Sequence, residues 1–151
     1  MLANTFARAG EHDTIREGTA LGIIMASLTW LWIALVDGVA GAPFHTFSVL
    51  GGIVVFTVLH YILNVVYGMI IMAMIHASKD TPSLIIGGIF VFLTFEFALG
   101  MTTILLSHLG LGELAWLRIF GASLIGAAAA LVLVARRHPL AARLHEAEAE
   151  R

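Results

Sequence analysis

One carboxylate, Glu96, stands inside the run FVFLTFEFALG, residues 90–100, among four phenylalanines. An ionised carboxylate in hydrocarbon costs about 2.5 to 3.5 kcal/mol, so Glu96 requires a partner, a proton or a function. His60 is the matching group. Counted from the nearer helix ends, the two lie at nearly the same depth, about 18 to 21 Å at 1.5 Å per residue. Thr57 and Asn64 share a helical face with His60, and Gly100 and Thr103 share one with Glu96. Each polar stripe avoids lipid by facing inward, which predicts a His60–Glu96 contact with Asn64 beside it. Three chemistries fit that cluster of Thr57, His60, Asn64, Glu96 and Thr103. It can fix helix register, it can relay protons or couple ions in a small transporter, or His60 can ligate haem or a metal with Glu96 as ligand or orienter. No second histidine lies at the level of His60, so a bis-histidine haem would draw its other ligand from a partner subunit. No cofactor is firmly implied.

A second set collects at the outer face of the membrane: Asp37, His45, His108 and Glu113, each at a different helix end. Imidazoles and carboxylates of this kind suit zinc or a similar divalent metal. The plainer reading is that polar residues gather at helix ends because water is there, and Glu113 gains from a helix N-terminus in any case. Arg118 is expected to snorkel outward toward Asp37 or Glu113. His12, His76, His138 and His145 show no ligand spacing. There is no nucleophile with its base, no phosphate loop and no metalloprotease motif, so no catalytic residues are assigned and an enzyme is disfavoured. The chain has no cysteine, which excludes thiol–disulfide exchange, cysteine-ligated iron–sulfur clusters and c-type haem. A net charge of -2 without a basic, aromatic-interleaved patch excludes nucleic acid as a partner.

The elements that must position these groups are membrane helices. Of 151 residues 60% are hydrophobic and 12% charged, with a mean hydropathy of +0.97, outside the range of soluble globular chains. Four stretches reach the roughly 20 residues that cross a bilayer: Gly18 to Val36, Phe47 to Ile75, Ser83 to Ser107 and Leu114 to Ala135. The first exceeds the apolar length of a cleavable signal peptide and is read as a true span. Thr14-Ile-Arg-Glu17 reads as a capping box ahead of the first span, and Thr81-Pro82 as an N-cap followed by proline at N1 of the third. Short connections make an up-down bundle of four helices the economical topology. Lys and Arg prefer the cytoplasmic side, and Arg8, Arg16, Lys79, Arg136, Arg137, Arg143 and Arg151 all fall there if both termini are cytoplasmic. Trp30, Trp32 and Trp116 then lie at interfacial depth. Residues 1–138 form one all-α domain in the cell membrane, and 139–151 a short amphipathic, acidic cytoplasmic tail. Two stripes of small residues, Gly18/Gly22/Ala26 and Ala122/Gly126/Ala130, allow close helix packing within the chain or between subunits.

The residues Arg16-Glu17-Gly18, Leu31-Trp32, Asp37, Gly41, Pro43 and Leu50-Gly51 resemble the opening of a group of small uncharacterised four-span bacterial integral membrane proteins. The resemblance implies a bacterial multi-pass membrane protein and imports no activity. The sequence therefore points to a non-enzymatic accessory or structural subunit that packs with itself or with a larger membrane complex. A small proton-linked transporter or channel is the alternative, and a haem- or metal-binding subunit the third reading.

Overall fold

In the computed structural model the described residues are 2–78, 81 and 83–138, excepting the side chains of 2–12, 95, 96, 99, 100 and 111. Lys79, Pro82 and the tail expected over 139–151 lie outside them. Over this range the chain is almost wholly helical, interrupted by short turns at 40–44 and 50–52. Helix α1 covers Leu2–Val39, a short α2 His45–Val49, α3 Ile53–Ala77, α4 Ser83–Leu106 and α5 Gly121–Arg137. Between α4 and α5 the backbone stays coiled but irregular, through wide turns at Ser107–Leu111 and Trp116–Phe120 and a tight one at Gly112–Leu114. Among the described residues three stretches are long and apolar enough to cross a membrane: Asp13–Val39, Ile53–Ala77 and Gly112–Arg137. Helix α4 has 24 residues, about 36 Å at 1.5 Å per residue.

Two expectations about boundaries change. The first helix does not start at Thr14; it runs unbroken from Leu2, so Thr14 has helix on both sides and is not an N-cap. The second long helix begins at Ile53 instead of Phe47, because Gly51 and Gly52 adopt φ of 102° and 94°. Those values suit glycine alone, and they separate α2 from α3.

The first helix is the hub. It packs antiparallel to α3 through backbone contact: a Cβ added at Gly18 would lie 2.5 Å from Met69 Cα, and one at Gly22 2.5 Å from Val65 Cα. Gly68 is the reciprocal notch, meeting the backbone of Gly18 and Gly22. The second small-residue stripe also packs within the chain, with Ala122, Gly126 and Ala130 buried on α5 and Gly126 against Thr29 and Met25 of α1. At one end of these helices, the lower end here, Leu21, Met25, Met72, Ala130 and Val134 form a core. At the upper end Ile33, Phe47 and Ala122 form another, with Trp30, Trp32 and Phe56 around it. Helix α4 rises from a contact between Gly88 and Met74 at the lower end, and the turn that follows it sets Gly110 beside Val49 and His45 at the upper end. Its flanks carry exposed Phe90, Val91, Leu93, Phe97 and Ile104, and α3 exposes Val54, Leu59, Leu63 and Ile70. Apolar surface on this scale requires lipid or another chain over it.

Candidate functional site

At mid-height the polar stripe of α3 is turned toward α1. The Nε2 of His60 lies 2.7 Å from Thr29 Oγ1 and 3.2 Å from the Ala26 carbonyl. Thr29 directs its own hydroxyl to the carbonyls of Met25 and Ala26, so its oxygen is left to accept from the ring. The proton is thereby assigned to Nε2, and Nδ1 accepts from Asn64 Nδ2 at 3.3 Å. Asn64 also donates to the His60 carbonyl at 2.8 Å. One turn above, Trp30 Nε1 donates to Thr57 Oγ1 at 3.0 Å; one residue along, the hydroxyls of Tyr61 and Ser27 meet at 2.9 Å. The Phe56 ring stacks on His60, with centroids 5.1 Å apart. Of the cluster expected from sequence, Thr57, His60 and Asn64 stand together on this seam. Thr103 is buried on α4, and the side chain of Glu96 lies outside the described residues. The expectation missed the partners on α1: Ser27, Thr29 and Trp30.

The upper-end set is not a convergent group. Asp37 is fully buried and both its oxygens are engaged, Oδ2 by the Thr46 amide at 2.7 Å and Oδ1 by the Thr46 hydroxyl at 2.8 Å and Arg118 Nε at 2.7 Å. Arg118 is only 4% exposed: it reaches Asp37 as expected, but inward, where the expectation had it snorkel. His45 Nε2 meets the Gly110 carbonyl at 2.9 Å, while His108 and Glu113 are exposed. These contacts tie α1, α2 and the 107–120 connection into one cap. They hold Asp37 fully buried, whereas His108 and Glu113 face outward and are exposed, so the four do not share one ion.

A convergent set appears instead at the lower end. Glu17 of α1, His76 in the last turn of α3 and His138 just past α5 bring one ligand atom each to within 4.8 Å of one another. Glu17 Oε2 lies 3.5 Å from His76 Nε2 and 3.6 Å from His138 Nε2. The other nitrogen of His76, Nδ1, is hydrogen-bonded to the Thr14 hydroxyl. Beside the trio is a cavity of about 30 Å³ whose lining includes Glu17, Leu21, Met72 and Arg137. The pair read as a capping box, Thr14 and Glu17, in fact belongs to this cluster: in the middle of α1, three residues apart, both side chains face the C-terminal ends of α3 and α5. No local spacing could reveal it, since the three donors come from three helices.

Comparison with protein-family models, with curated proteins and with solved structures finds no match for this chain.

Proposed function

We propose that the chain is a small integral membrane protein of four spans, with both termini cytoplasmic, serving as a non-catalytic accessory subunit of a bacterial cell-membrane complex or of its own oligomer. The observation that carries this reading is the direction of the α3 stripe. His60 and Thr57 are closed against Thr29, Ala26 and Trp30 of the neighbouring helix, bonds that set helix register, and Asn64 braces the His60 ring from within α3. The backbone contact at Gly18, Gly22 and Gly68 supports the same role, since a rigid α1–α3–α5 unit presents α3 and α4 as apolar outer faces. Those faces supply what a subunit buries in lipid or against a partner.

The test is reconstitution beside native-membrane analysis. The reading expects the purified chain to produce no proton flux in liposomes, and the chain in native membranes to migrate within an assembly larger than itself on non-denaturing gels. Flux that disappears in Glu96→Gln with the fold retained would replace this reading by the proton-linked transporter. Migration as a lone chain would remove the subunit reading.

A further inference from the structure

We infer that Glu17, His76 and His138 form a binding site for a divalent transition metal of the zinc class. The geometry points there first. If the trio were held by hydrogen bonds between imidazolium and carboxylate, the N···O distances would be about 2.7 to 2.9 Å. They are 3.5 and 3.6 Å. Two ligands bound at 2.0 to 2.2 Å on a tetrahedral ion are separated by about 3.3 to 3.6 Å, the edge of the tetrahedron. Glu17 Oε2 is thus spaced from each imidazole nitrogen as ligands to one ion are spaced, not as donor and acceptor.

The surroundings agree with that chemistry. With Nδ1 of His76 bonded to Thr14, the proton of the neutral ring can sit on Nδ1 and leave the Nε2 lone pair directed at the carboxylate, the outer hydrogen bond by which proteins orient a metal-ligating histidine. Glu17 Oε2 is shielded from solvent and receives no hydrogen bond from the described residues, so its lone pairs are open to a coordinated ion. The side chains of His138, His76 and Glu17 are 11, 21 and 31% exposed, which leaves a path for an ion from solution. The cavity of about 30 Å³ beside them has room for a water on a remaining coordination position. Arg137 also lines the cavity; its charge opposes a bare dication and so requires a hydroxide or other anion as that last ligand. A metal here clamps α1, α3 and the end of α5 together. The site stands on this geometry alone and does not depend on the subunit reading.

The experiment is a cobalt titration of the full-length, tag-free chain in nanodiscs, followed by the visible absorption of the bound ion and by competition with zinc. One cobalt per chain is expected, displaced by zinc. Glu17→Gln and His138→Asn are each expected to weaken binding at least tenfold, and His76→Ala to abolish it. Thr14→Val should weaken binding about tenfold while preserving the stoichiometry. His108→Ala, a histidine far from the trio, should bind as the parent chain does. Absence of stoichiometric cobalt binding overturns the site and leaves the trio as an ion pair. Binding that survives both Glu17→Gln and His138→Asn overturns it equally, because the ion then sits elsewhere. Should His76→Ala fail to fold, those two variants decide the matter.

Discussion

Replacing Asp37 by Asn removes the carboxylate that lies 2.7 Å from Nε of the Arg118 cation, itself 4% exposed. At about 4 Å between charge centres and an effective dielectric near 20, the lost attraction is about 4 kcal/mol. Breaking a buried pair by removing one partner costs about 3 to 5 kcal/mol. The same range is expected for Arg118→Met, which leaves a fully buried carboxylate with only the two Thr46 donors. The double variant Asp37→Asn/Arg118→Met has no charge to strand. Its amide oxygen still accepts from Thr46, so its cost is about 1 to 3 kcal/mol, mostly the imperfectly satisfied amide. The coupling energy is then at least about 3 kcal/mol. The assay is unfolding in mixed micelles titrated with SDS and read by tryptophan fluorescence, for which Trp32 is a local reporter because its Nε1 donates to the Leu117 carbonyl. Loss of 3 to 5 kcal/mol is a large share of a typical fold's stability, so each single variant should shift the midpoint strongly and the double should shift it far less than the two singles summed. A coupling below about 0.5 kcal/mol, the size found for exposed pairs, would refute the reasoning: the pair would then be solvated, and the upper cap not a closed structure.

Two further perturbations address the α1–α3 seam. Gly22→Leu drives a side chain into the backbone of Asn64 and Val65 and should cost about 1 to 3 kcal/mol or more by overpacking. Gly38→Leu, where nothing lies within 4 Å of an added Cβ, should stay within about 0.5 kcal/mol in the same unfolding assay. Thr29→Val removes the hydroxyl 2.7 Å from His60 while keeping its shape. With the Ala26 carbonyl at 3.2 Å still in reach of the ring, the expected loss is about 0.5 to 1.5 kcal/mol, measured by the midpoint shift.

The helices were largely legible in the sequence, and for a physical reason: a bilayer demands about 20 consecutive apolar residues, and few sequences meet that demand by accident. The small-residue stripes at Gly18, Gly22 and Ala26 and at Ala122, Gly126 and Ala130 were legible too, because close backbone approach needs small side chains at a fixed spacing. The partner of each stripe was not. His60 was matched to Asn64, which it meets, and to Glu96, whose side chain lies outside the described residues; its bonds to Thr29 and Ala26 were not legible because a threonine in a helix ordinarily bonds its own backbone. Thr14 and Glu17 carried a genuine local signal, the capping-box spacing, but that signal presumes that the chain is not helical before it. Helix α1 begins at Leu2, and the side chains face His76 and His138 instead. Arg118 was matched to Asp37 correctly, yet its burial depends on Thr46 and the 107–120 connection folding over the pair, which no window of sequence contains.

The central claim is that four helices cross the membrane alternately, and the absence of cysteine from the chain allows a direct test. Single cysteines placed at the exposed positions Ala40, Ala77, Leu109 and Ala135 can be labelled on intact cells with a membrane-impermeant maleimide, before and after permeabilisation. Ala40→Cys and Leu109→Cys should label on intact cells, and Ala77→Cys and Ala135→Cys only after permeabilisation. If Ala40→Cys and Leu109→Cys label from opposite sides, or if all four label without permeabilisation, α3 and α4 do not form a pair of alternating spans and the account fails.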